Sequence, residues 1–134
     1  MAHKEYIKAF IPPLIVLIIH FIIFSFKTYT LIPWIDIPMH IVGGSAISFT
    51  FYNLLEIARN KKLIIVIHKL IHFIFVIALV ALAAIFWEFG EYIIDITLNL
   101  NFQEGIVDTM SDLLFGLLGG SITYFIIQKN QNKN

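Results

Sequence analysis

The sequence contains no cysteine and few charged residues. The absence of cysteine excludes disulfides, thiolate metal sites and cysteine nucleophiles. Charged residues make up 13% of the 134-residue chain and hydrophobic residues 59%, whereas soluble domains are about 25% charged and about 45–50% apolar. A chain this short could not bury so much apolar surface in water. The composition therefore predicts a membrane protein. The net charge of zero gives no indication of a nucleic-acid partner.

Four apolar stretches are long enough to cross a membrane, which takes about 20 helical residues. They cover about residues 7–26, 37–58, 66–95 and 109–127. Short connectors and helix-length runs are not typical of a β-barrel, so we predict an all-α fold. We expect one membrane domain over residues 1–134, built as a bundle of four transmembrane helices. Pro12 and Pro13 are expected in the first turns of the first helix, where a missing N–H costs least.

Lysine and arginine are distributed unevenly between the two predicted sides of the membrane. Eight fall on the side of both termini, and the other side carries only Lys27. Such a bias predicts that the chain is a multi-pass membrane protein with both termini cytoplasmic. The eight are Lys4, Lys8, Arg59, Lys61, Lys62, Lys69, Lys129 and Lys133.

Carboxylates gather at the opposite, outer side. Glu88 and Glu91 are three residues apart near the end of the third span, and Glu88 follows a long uncharged run. Residues at this spacing share a helix face, where like charges repel, and an intramembrane carboxylate indicates a functional site by default. A positive charge should offset this face, supplied by a metal ion, a shared proton or a cationic ligand. Asp95 lies one turn further on. It is explained equally well as a member of this acidic face or as a residue of a solvated helix end.

Two further pairs lie at the start of helices. Asp108 and Asp112 are four apart at the start of the fourth span, and Asp36 and His40 are four apart at the start of the second. The structural alternatives are capping by Asp36, Asp108 or Thr109 and a packing role for His40.

If the three helix ends meet, they form a carboxylate-rich site with one imidazole. Such a donor set suits Mg, Mn, Fe or Zn, and a bound divalent ion activates water. Glu91 would then be the catalytic general base, acting on a lipid or a lipid-linked phosphate or ester. The predicted metal ligands are Asp36, His40, Glu88, Asp108 and Asp112.

Two alternatives to this metal-dependent hydrolase stay open. Carboxylate and histidine side chains can also handle protons or cations, and a four-helix transporter element would need a homo-oligomer. The second alternative is a structural accessory subunit without catalysis. Under each hypothesis the expected partners are membrane lipids, and a homo-oligomer stays open. His68 with His72 forms a weaker metal candidate, for which placement at the cytoplasmic interface is preferred. His20 is a candidate for lining the site or for polar packing.

Three short motifs stand in order along the chain. They are Asp36-x-x-x-His40 before Gly43-Gly44, Trp87-Glu88-x-x-Glu91, and Asp108-Thr109-x-x-Asp112 before Gly119-Gly120. Over about residues 33–125 this order resembles the YjdF-like family of bacterial inner-membrane proteins and, more distantly, the VanZ-like family. The resemblance implies a location in the plasma (inner) membrane and a shared role for the six acidic and histidine residues in these motifs.

Overall fold

Four long helices make up most of the described chain. The computed structural model describes residues 2–65, 68–98 and 105–131, and within those ranges it contains helices and no strand. This confirms the all-α prediction. The elements in chain order are α1 (Ala2–Ser25), the short helix α2 (Thr28–Leu31), the 3-10 turn Pro33–Ile35, α3 (Asp36–Asn60), α4 (Lys69–Leu98) and α5 (Ile106–Gln131).

Each of the four long helices is long and apolar enough to cross a membrane. The 25 residues of α3 span about 38 Å at about 1.5 Å per residue, which exceeds a hydrocarbon core of about 30 Å. Large apolar side chains such as Phe10, Ile18 and Phe86 lie on the outside of the bundle, where each residue is at least half exposed. Apolar surface of this extent suits lipid, because soluble proteins rarely expose it.

The helices extend beyond most of the predicted spans. α1, for example, begins at Ala2, and α5 begins at Ile106 and ends at Gln131. Polar residues continue these helices past the apolar stretches from which the spans were predicted. The third span was expected to begin at residue 66, but α4 begins at Lys69, and residues 66 and 67 lie outside the described residues.

Pro12 and Pro13 lie in the interior of α1, not in its first turns as predicted, because the helix begins at Ala2. Proline has no N–H, so Pro13 cannot donate to the carbonyl of Ala9 one turn earlier. Thr50 of α3 donates a hydrogen bond to that carbonyl instead, at 2.7 Å. Ala9 and Thr50 are both buried, and this bond therefore stabilises the packing of α1 on α3.

The central helix α3 contacts α1, α4 and α5, and its contact with α5 is close enough to require glycine. A Cβ atom on Gly44 would overlap the backbone of Gly116, and one on Gly119 would overlap the backbone of Ile41. Ser45 Oγ donates to the carbonyl of Gly119 at 3.1 Å across the same crossing. Small residues allow membrane helices to approach in this way.

Buried aromatic residues pack the end of the bundle away from Asp36. Tyr52, Val76 and Tyr124 form a core cluster there. The hydroxyl of Tyr52 donates to Gln131 Oε1 at 3.0 Å, and that of Tyr124 donates to the carbonyl of Lys69 at 3.2 Å. These bonds connect α3, α4 and α5 at one end of the bundle. The close contact of α3 with α5 at Gly44 and Gly119, here called the glycine crossing, lies nearer the other end.

Two adjacent glycines of α3 give a matched test of the crossing. We expect Gly44→Ala to lower the unfolding free energy by roughly 1–3 kcal/mol, as overpacking does, because its methyl group meets the Gly116 backbone. Gly43→Ala meets no atom within 4 Å and should be neutral or stabilising by up to about 1 kcal/mol. Thermal unfolding in detergent measures both, and equal effects would contradict the proposed role of the crossing.

Candidate functional site

Asp36 and His40 lie one turn apart at the start of α3. Asp36 is the first residue of the helix, directly after the turn Pro33–Ile35. The two side chains share a helix face, and His40 Nε2 lies 3.5 Å from Asp36 Oδ1. The N-cap position is occupied by Ile35. The alternative that Asp36 caps α3 is therefore wrong.

Asp112 of α5 reaches the same imidazole from the neighbouring helix. Its Oδ1 lies 3.7 Å from His40 Nε2, and the residue is only 3% exposed. One ligand atom from each of Asp36, His40 and Asp112 lies within 4.8 Å of the others. The glycine crossing explains this geometry, because Gly44 and Gly116 each follow one of these residues by one helical turn.

Asp108 lies one turn before Asp112, at the edge of this group. It interacts electrostatically with Asp112, but it is not one of the three residues whose ligand atoms converge. The amide of Thr109 bonds to the carbonyl of Gly105 at 3.1 Å, which makes Gly105 the N-cap. Asp108 and Thr109 are thus inside α5, and the prediction that one of them is its N-cap is wrong.

Glu88 and Glu91 bring two further carboxylates from α4. Glu88 is 4% exposed and interacts electrostatically with His40. Glu91 interacts electrostatically with Glu88, His40 and Asp36. Neither glutamate belongs to the group of converging ligand atoms found among the described residues. The ligand atoms that converge therefore come from α3 and α5, and the two glutamates of α4 interact with that group electrostatically.

The indole of Trp87 holds the carboxylate of Glu91. Trp87 Nε1 donates to Glu91 Oε1 at 2.8 Å, and the Trp87 ring packs edge-on against His20 at a centroid distance of 4.6 Å. His20 Nδ1 lies 2.8 Å from the Tyr29 hydroxyl. A continuous network therefore runs from α2 through α1 to Glu91. The sequence did not predict this network, since no sequence spacing connects residues on three different elements.

Tyr29, the end of this network, belongs to α2 and so lies outside the four membrane-spanning helices. Burial raises the pKa of its hydroxyl, and the carboxylates of Asp36 and Glu91 raise it further. Tyr29 therefore presents a neutral hydroxyl to His20 at physiological pH.

A cavity of about 280 Å³ opens beside the group, between α1, α3 and α4. Asp36, His40, His20, Tyr29 and Trp87 line its polar part. Apolar side chains line the remainder, from Met39 to Ile47 along α3 and around Val80 on α4. The sequence did not predict this cavity, although it left open the alternative that His20 lines the site.

His68 and His72 do not form one site. His68 is exposed and its Nδ1 accepts a hydrogen bond from the Leu70 amide. His72 points into the bundle, where its Nδ1 lies 3.1 Å from the Tyr124 hydroxyl and its Nε2 3.7 Å from Glu56. Placement at the cytoplasmic interface stays a prediction for both residues, and the side chain of His72 is partly buried against Tyr52 and Tyr124.

Comparison with known proteins gives a membrane protein family and no biochemical activity. The family model described as "Predicted membrane protein (DUF2238)" matches residues 7–133. No curated protein and no solved structure matches the chain.

Proposed function

We propose that this chain, which belongs to the family described as "Predicted membrane protein (DUF2238)", binds a divalent metal ion through Asp36, His40 and Asp112. We further propose that the bound ion serves hydrolysis of a lipid at the membrane surface. The YjdF-like resemblance is part of this proposal, since the three motifs that carry it supply the residues of the site.

The convergence of one nitrogen and two oxygen ligand atoms within 4.8 Å carries the proposal. Two atoms that bind one metal at about 2.1 Å lie at most about 4.2 Å apart. The distances from His40 Nε2 to Asp36 and Asp112, 3.5 and 3.7 Å, already meet this limit. Small rotations of the two carboxylates would complete the triangle.

Three protein ligands are typical of a catalytic metal site, because they leave coordination positions open for water and substrate. The oxygen-rich donor set suits Mg, Mn, Fe or Zn. Asp108 and Glu88 stand next to the group. We assign them to hydrogen bonding or to additional coordination, which is the usual role of residues around such a site.

Charge supports the same assignment. The Asp36–His40–Asp112 group and its neighbours Glu88, Glu91 and Asp108 contain five carboxylates, and two of these, Glu88 and Asp112, are almost fully buried. Buried like charges are costly unless a counter-charge offsets them. A divalent cation in the group supplies that charge.

Glu91 fits the role of general base. The Trp87 indole fixes one of its oxygens, which leaves the other free to accept a proton from water. A divalent ion lowers the pKa of bound water and polarises the bond to be cleaved. Glu91 would take one proton from the attacking water and return it to the leaving oxygen.

The alternative of a transporter element receives less support. A path through the bundle needs polar groups at mid-depth. Two of the polar side chains available there already donate hydrogen bonds to backbone carbonyls. Ser45 donates to the carbonyls of Ile41 and Gly119, and Thr50 donates to those of Ala9 and Ala46. A site open to one side is favoured.

From the lysine and arginine bias we propose that the Asp36–His40–Asp112 group lies at the outer side of the inner membrane. We expect a cysteine introduced as Trp34→Cys, beside Asp36, to react with a membrane-impermeant maleimide on intact cells. The matched variant Leu63→Cys, at the other end of the bundle, should react only after lysis. Both positions are exposed and the natural chain has no thiol. The reverse labelling pattern would contradict the orientation.

The metal and the base are separable by substitution. Elemental mass spectrometry should find stoichiometric metal in the wild-type protein and in Glu91→Gln, and little in His40→Ala. Glu91→Gln keeps the oxygen that Trp87 binds, yet should slow lipid hydrolysis by roughly 10²–10⁴-fold, the usual contribution of a general base.

Mass spectrometry of products released from mixed-lipid vesicles measures the rate, with Asp95→Asn as a control that should match wild type. Absence of metal from the wild-type protein would overturn the metal site. Unchanged hydrolysis in Glu91→Gln would remove Glu91 from the mechanism.

A further inference from the structure

The cavity beside the Asp36–His40–Asp112 group runs along the axis of α3. Its lining on that helix runs from Asp36 to Ile47, a rise of about 16 Å at about 1.5 Å per residue. Its volume of about 280 Å³ is at the small end of ligand pockets, which occupy about 300–1,000 Å³. A long and narrow space of this kind fits one extended chain better than a bulky ring system or a pair of chains.

Polarity changes along the length of the cavity. Asp36, His40 and Tyr29 lie at one end, and Ile47, Val80 and other apolar side chains line the rest. An amphiphile matches this gradient when its polar head lies at Asp36, His40 and Asp112 and its chain extends along α3. A water-soluble substrate would leave the apolar part of the cavity unused.

Small side chains provide the width of the cavity. Gly43 lines it, and a Cβ atom there would meet nothing within 4 Å. Ala83 and Ala84 line the facing side on α4. Gly43 therefore differs from the neighbouring Gly44, which the crossing with α5 requires, because the space beside it belongs to the cavity.

The sequence offers almost no cation to bind a phosphate at this end. Between Ala9 and Ala58 it contains only Lys27, and between Leu70 and Gln128 it contains neither lysine nor arginine. Phosphate groups are usually bound by these residues. Here a phosphate would meet several carboxylates, with the metal ion as its main counter-charge, so electrostatics favour an uncharged polar group.

We propose that the cavity binds the acyl chain of a neutral, single-chain lipid ester, with the ester carbonyl at the Asp36–His40–Asp112 group. This assignment of substrate class rests on the proposed metal-dependent hydrolysis. Water oxygen bonds to the acyl carbon, and the bond from that carbon to the ester oxygen breaks. One water proton passes through Glu91 to the departing oxygen, giving an alcohol, and the other fragment is the fatty acid. No oxidant or further reactant is required.

Trp87 reports on occupancy of the cavity because it lines the polar end, whereas Trp34 is exposed outside it. The Trp34→Phe/Glu91→Gln protein, reconstituted in phosphatidylcholine vesicles, therefore has one reporter and leaves the ester intact. The probe is a monoacylglycerol whose chain carries bromine, a fluorescence quencher. We expect quenching to saturate at a low mole fraction of probe.

Two substitutions separate the cavity from general contact with lipid. Gly43→Leu fills the cavity and should abolish the saturable quenching. Gly90→Leu should leave it intact, because a side chain at Gly90 also meets nothing within 4 Å but does not line the cavity. Ala83→Leu fills the cavity from α4 and replaces Gly43→Leu if that protein does not fold. Quenching that rises in proportion to the probe, equally in all variants, would overturn the cavity site.

A second probe tests the polar group. Lysophosphatidic acid with the same brominated chain should need a concentration about tenfold higher for half-maximal quenching, a difference of about 1.4 kcal/mol. Equal or tighter binding of the phosphate probe would overturn the assignment to neutral esters.

Metal content measured on the same samples keeps the two proposals distinct. Metal present without saturable quenching overturns the lipid cavity alone. Saturable quenching without metal overturns the proposed function, and with it the placement of the ester carbonyl, but leaves the acyl-chain site in place.

Discussion

The close crossing of α3 and α5 determines the rest of the site. Gly44 and Gly119 allow the two backbones to meet where any side chain would overlap the opposite helix. One turn from that contact, His40 and Asp112 are brought within 3.7 Å of each other. A membrane provides little hydrophobic drive for association between helices, so this packing is what brings together two side chains that are more than seventy residues apart.

The second constraint is the placement of carboxylates in apolar surroundings. Glu88 and Asp112 are buried near the end of the bundle, where their charges are disfavoured unless a cation offsets them. The divalent ion that we propose would account for the donor set, the burial and the small number of lysine and arginine residues nearby. With that ion in place, the adjoining cavity would hold the chain of a lipid whose polar group lies at the ion.

The sequence was sufficient for the helices. It also named the three residues whose ligand atoms converge, together with Glu88 and Asp108, which lie outside that group. Length and hydropathy predict four spans, and the motif spacing predicts that Asp36 and His40 share a face. Capping of α5 by Asp108 or Thr109 was wrong because the helix begins earlier, at Ile106. The His20–Tyr29–Trp87 network and the cavity could not be predicted, since they depend on how α1, α2 and α4 pack.

The central claim is that His40 binds a metal ion together with Asp36 and Asp112. Pulsed electron paramagnetic resonance of the Mn²⁺-loaded protein tests it most directly, because a coordinated imidazole nitrogen modulates the Mn²⁺ echo. We predict a stoichiometric Mn²⁺ site with this nitrogen coupling, lost in His40→Gln and unchanged in His68→Gln. A nitrogen coupling that survives His40→Gln, or Mn²⁺ bound without any nitrogen coupling, would contradict the account.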